Sequence, residues 1–107
     1  MIRGDLVTIA LSGDYGKPRP ALVIQSNLFD AHSSVTVLPV TSELRDAPLF
    51  RLTVAPTAAN GLRKVSQVMV DKSQSVARAK IGKAIGRLND EDMVGVNRLL
   101  AVFLGIA

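Results

Sequence analysis

The sequence predicts a mainly β fold, a small curled sheet or barrel carrying one C-terminal helix, and three observations lead there. Short β-branched or apolar runs recur through the first two-thirds of the chain, each closed by turn residues. The 72–88 segment carries interior glycines at 82 and 86 that suit a twisted strand, since each costs about 1 kcal/mol inside a helix. Beyond Leu88 the apolar residues change to helical spacing.

Taken in order, Asp5 to Leu11 (DLVTIAL) is the first strand, followed by a turn-rich stretch from Ser12 to Pro18. Ala21 to Gln25 (ALVIQ) is nearly all apolar, as expected of a strand covered on both faces. Asn27 to Ser34 reads as a polar excursion holding Phe29 and His32. Val35 to Val40 is β-branched, with Pro39 limiting how it pairs. Leu49 to Val54 alternates weakly, Pro56 to Gly61 is a loop, and Lys64 to Val70 returns to strand character. The count is five or six strands. Asn89 followed by Asp90, Glu91 and Asp92 is a helix start, because acids in a first turn meet the positive end of the helix dipole. Met93, Val96, Leu100, Phe103 and Leu104 then give one apolar face that ends at Gly105, with Phe103 expected in the core.

At 107 residues the chain has room for a single domain, and 48% hydrophobic residues exclude a disordered regulator. A chain this short leaves a thin stability margin, which favours association of two copies. There is no cysteine, hence no disulfide and no cysteine zinc site, and His32 is the only imidazole. The first residues lack the apolar run of a signal peptide, and Leu99 to Ala107 is about half a membrane span, so a cytoplasmic protein with no membrane partner is expected. Thirteen Lys and Arg against nine Asp and Glu leave +4, a balance that suits a polyanionic partner or plain solubility.

The residue inventory excludes several chemistries. No glycine-flanked serine elbow, phosphate-cradling glycine loop or metal-spaced carboxylate set is present, and neither metal nor cofactor is expected. What remains is Arg, Lys, Ser, Thr and isolated acids. One reaction needs no more: RNA carries its own nucleophile in the 2′-hydroxyl beside each phosphodiester. The protein has only to hold the phosphate, stabilise its extra charge and move protons. Arg19, between Pro18 and Pro20, has a backbone fixed for aiming its two-pronged donor at phosphate, or else is a solvated arginine at a strand entrance. Thr41 and Ser42, at the exit of the third strand, could donate hydroxyls, or simply start a turn.

Met1-Ile2-Arg3-Gly4-Asp5-Leu6-Val7 followed by Lys17-Pro18-Arg19-Pro20-Ala21-Leu22-Val23-Ile24-Gln25-Ser26-Asn27 resembles the opening of the MazF/PemK (Kid) toxins. Leu38-Pro39-Val40-Thr41-Ser42 is similar to their third-strand ending, Gly61 to Val68 to a strand ending in Gln, and Leu88 to Met93 to their helix entrance. The succession spans nearly the whole chain. It implies one toxin domain over 1–107, folded as a small bent SH3-like β-barrel of the CcdB/PemK type. It also implies a metal-independent, sequence-specific endoribonuclease cutting single-stranded mRNA, a homodimer, and a cognate MazE-like antitoxin whose acidic tail covers the RNA groove. By position the resemblance assigns catalysis to Arg19 (proton transfer and phosphate charge) and Thr41 (phosphate hydrogen bond). It assigns RNA binding to Lys17, Ser42, Gln67, Lys64 and Tyr15.

Two departures stand out. Lys64-Val65-Ser66-Gln67 replaces the Arg-x-Asp-Gln of the Kid branch, so that branch's aspartate base has no counterpart there. The Ser12 to Lys17 loop is short and lacks the usual Glu-Gln pair, which leaves the cleavage sequence and the general base open. His32 could contact RNA or move a proton, and the basic Lys72 to Arg87 stretch is a solvated face or an RNA-steering one. Two other readings compete: a CcdB-like gyrase poison, although the chain ends Phe103-Leu104-Gly105-Ile106-Ala107 without that group's tryptophan, and a non-catalytic nucleic-acid-binding barrel, poor here in stacking aromatics.

Overall fold

The computed structural model describes residues 1–10 and 17–106, so Leu11, Tyr15 and most of the first loop lie outside the described residues. Among the described residues, seven strands and one α-helix follow in order: β1 (Asp5–Ile9), β2 (Arg19–Val23), β3 (Ser34–Thr41), β4 (Arg51–Val54), β5 (Ser66–Met69), β6 (Gln74–Ala77), β7 (Ile81–Arg87) and α1 (Asp90–Leu104). The expected five or six strands become seven because the basic 72–88 segment makes two, separated by a 3-10 turn at Arg78–Lys80.

All pairings are antiparallel, in the order β4-β5-β3-β2-β1-β7, with β6 beside the first half of β3. The bent barrel expected from sequence is corrected in one respect: the hydrogen-bonded sheet is not closed, since β4 and β7 end it and do not pair. Glycines let the chain pack where it turns back. Gly61 has φ +70, and a Cβ there would overlap the Ile85 carbonyl; one at Gly86 would overlap the backbone of Asn60. Asn60 stitches this loop with its own side chain, accepting from Thr57 N at 2.9 Å and Leu62 N at 3.0 Å.

Both faces of the central strands are buried, as the apolar character of 21–25 requires. Leu6, Leu22 and Leu38 stand opposite one another and face α1, sharing a cluster with Val40, Val68, Met93 and Val96. The alternating set Val7, Ile9, Ala21, Val23, Val35 and Val37 forms a second cluster on the other face. Asn89 caps α1 by accepting from Asp92 N at 2.7 Å, and Gly105, at φ +73, terminates it. Met93 and Val96 meet the core, whereas Phe103 does not: it is 50% exposed, beside exposed Val102, Leu104 and Ile106. Helical spacing places an apolar stripe but not the length of sheet available to cover it. The sheet is used up before the last turn.

Candidate active site

Thr41, Gln67 and Thr53 fall on one line across β3, β5 and β4, and Arg19 opens the neighbouring β2. Arg19 pairs with Ile9 of β1, Thr41 with Gln67, and Gln67 with Thr53. Between β2 and β3 the pairs are Ala21 with Pro39 and Val23 with Val37. The β2–β3 pairing ends at Ala21 with Pro39, two residues short of Arg19 on one strand and of Thr41 on the other. Alternation places Arg19 and Thr41 on the side of the second cluster, because Ala21 and Val23 lie in that cluster while Val40 lies in the helix-facing one. A polar row thus borders an apolar interior, where charges keep more of their strength than in open water.

Arg19 is exposed at the start of β2, directly after Lys17 and Pro18, which are exposed too. Thr41 is half-buried at the end of β3, and its Oγ1 accepts from the Glu43 N–H at 3.1 Å. That bond occupies oxygen lone-pair capacity and leaves the hydroxyl hydrogen to donate outward. Ser42 is exposed in the same turn.

Gln67 is 6% exposed and its amide is engaged four times. Oε1 accepts from Arg45 N at 3.0 Å and from Arg51 Nη1 at 2.9 Å, while Nε2 donates to the Arg45 carbonyl at 3.0 Å and to Thr53 Oγ1 at 3.1 Å. Arg51 Nη1 also donates to the Glu43 carbonyl at 2.9 Å. Gln67 therefore anchors the 42–50 loop to the row. Ser66 is buried and its Oγ donates to the Lys64 carbonyl at 2.9 Å, so the position that a carboxylate fills in the Kid branch serves here as a backbone tie. Lys64 is exposed just before β5.

Sequence reasoning passed over Arg45 and Arg51. Both line a cleft of about 440 Å³ together with Thr53, Gln67 and Arg98. A signal was there to be used: Arg51 and Thr53 alternate with Leu52 and Val54, and a polar alternate flanking a buried strand marks an exposed face. Tyr15, expected to bind RNA, lies outside the described residues. His32 is exposed in the 26–33 excursion, at the far end of the β2–β3 hairpin from Arg19 and Thr41, roughly 20 Å away by strand rise. Among the described residues no group of three or more His, Cys, Asp or Glu could hold a metal ion. No described helix is long and apolar enough to cross a membrane.

Comparison with known proteins gives a consistent set. The family model described as PemK-like, MazF-like toxin of type II toxin-antitoxin system matches residues 2–104. A curated protein of Mycolicibacterium smegmatis named "Probable endoribonuclease MazF" is 52% identical over 108 residues, covering 100% of this chain and 99% of its own. The Mycobacterium tuberculosis toxin MazF-mt6 superposes with TM-score 0.79 at 25% identity, over 95% of this chain and 98% of its own. An endoribonuclease from a mycobacterial species, solved with its cognate antitoxin, superposes with TM-score 0.85 at 21% identity, over 100% and 97%.

Proposed function

Since the chain belongs to the PemK-like, MazF-like toxins of type II toxin–antitoxin systems, we propose that it is an endoribonuclease cutting single-stranded mRNA by attack of the 2′-hydroxyl on the adjacent phosphate. The observation that supports this reading is that Arg19 and Thr41 stand at adjoining ends of the antiparallel β2 and β3, each two residues beyond the Ala21–Pro39 pair. In-line attack gathers negative charge on the non-bridging phosphate oxygens. The Arg19 guanidinium matches two of those oxygens with parallel donors, and the Thr41 hydroxyl supplies a third. By the resemblance, Lys17, Ser42, Lys64 and Tyr15 supply further donors to the RNA, and Gln67 acts by holding the 42–50 loop. Nothing in this scheme requires a metal, because the nucleophile belongs to the substrate.

The same family membership supports a homodimer of single-domain chains, a cytoplasmic setting and a MazE-like antitoxin. A +4 toxin suits both RNA and an acidic antitoxin tail as competing polyanions. The family match favours cleavage over the gyrase-poison reading. The test is incubation of purified protein with a long RNA in EDTA, with mapping of the new ends. Discrete cuts leaving 5′-hydroxyl ends are expected, and they should disappear in Arg19→Ala. Binding without cutting would instead support the non-catalytic barrel, and trapped gyrase on DNA the poison.

A further inference from the structure

Deprotonating a 2′-hydroxyl needs a proton acceptor, and Arg19 with the row Thr41–Gln67–Thr53 supplies no carboxylate and no imidazole. We propose that Glu43 is the general base of this site, a role that rests on the endoribonuclease reading above.

The acids of the described residues are mostly committed elsewhere. Asp5 pairs with Arg87 at 2.9 Å and accepts from Ile2 N at 2.8 Å. Asp30 sits in the far 26–33 excursion, and Asp90, Glu91 and Asp92 form the first turn of α1. Glu43, Asp46 and Asp71 remain near the row, Asp71 lying 3.8 Å from Lys72 Nζ in a cleft shared with Arg45, Asp46 and Arg51. Only Glu43 has its main chain clamped on both sides by the site itself. Its N–H donates to Thr41 Oγ1 at 3.1 Å, and its carbonyl accepts from Arg51 Nη1 at 2.9 Å. The same Nη1 is tied to Gln67 Oε1 at 2.9 Å. An exposed residue held at both ends in this way has a fixed backbone from which to aim a side chain, and that lowers the entropic cost of reaching a reactive geometry. The Glu43 side chain is exposed, and its carboxylate makes no ion pair among the described residues.

The step balances as follows. Glu43 takes the 2′-hydroxyl proton, the 2′-oxygen bonds to phosphorus, and the P–O5′ bond breaks to leave a 2′,3′-cyclic phosphate. The departing 5′-oxygen takes up a proton at the Arg19 guanidinium, which solvent replaces.

The experiment is single-turnover cleavage of a mapped RNA across the acidic to neutral pH range. It compares wild type with Glu43→Gln, Glu43→Asp, Asp46→Asn and Asp14→Asn, with thermal unfolding as a fold check. Wild-type cutting comes first, since its absence would count against the endoribonuclease reading and not against the choice of base. Glu43→Gln should lose about 10²- to 10⁴-fold in rate and flatten the acidic limb of the profile at an unchanged melting temperature. Glu43→Asp should retain the limb at reduced rate. A Glu43→Gln enzyme with wild-type rate and limb overturns the proposal, as does loss of the limb in Asp46→Asn or Asp14→Asn instead.

Discussion

Gln67 grips the main chain of Arg45 from both sides, accepting from its N–H and donating to its carbonyl, each at 3.0 Å. One side chain reproduces the pair of bonds that a neighbouring strand would give. The 42–50 loop is thereby held like sheet without being sheet. Gln67→Leu should therefore cost about 1–3 kcal/mol, because the Arg51 Nη1 donor and the Arg45 amide lose a buried acceptor. Thermal or denaturant unfolding measures this, and a variant as stable as wild type would show that the loop does not depend on the amide.

Arg19→Ala should reduce cleavage by about 10²-fold or more while leaving the fold intact, since the side chain is exposed and its loss opens no cavity. The paired measurements are RNA cleavage and far-ultraviolet circular dichroism. Thr41→Val should keep the fold and its β-branched shape, yet lose the hydroxyl donor and the Glu43 tie, with a smaller fall in rate than Arg19→Ala.

The helix end exposes Val102, Phe103, Leu104 and Ile106, the last at 78%, which is a heavy apolar load for so small a surface. Light scattering at micromolar concentration should report twice the 11.4 kDa of one chain. A monomer mass would count against the homodimer.

Burial, aided by the neighbouring Glu91, raises the pKa of the Asp92 carboxyl above its ordinary value. The folded protein then holds that proton more readily than the unfolded chain, so this contribution favours the fold on the acidic side. It fades as pH rises through the raised folded value. Asp92→Asn removes the slope. The melting temperature of the variant relative to wild type should therefore increase from acidic pH towards neutrality, and a difference that does not change with pH would contradict the assignment.

Much of this architecture was readable without coordinates. The limits of β3 and α1 follow within a residue from an apolar run and the Asn89 cap, both local signals, whereas β2 runs from Arg19 to Val23, two residues earlier than the apolar run at 21–25. The open sheet was not readable, because whether β4 and β7 meet depends on twist summed over many strands. Phe103 misled for a related reason: helical periodicity says which face is apolar, not where its cover ends. At the site, Arg19 stood out through its flanking prolines, and Thr41 through resemblance. Arg45 and Arg51 belong to no motif and take on meaning only when register sets Thr53 against Gln67.

The polar row has no local precursor. Position 41 must wait for 67, and 67 for 53, before the row and its loop anchor exist. Such distant pairings are slow to form and gain little until most of the sheet exists. A nascent chain released only as far as β3 presents Arg19 and Thr41 but lacks the strand that carries Gln67 and braces the Glu43 turn. Assembly of the sheet therefore brings these residues together late and all at once.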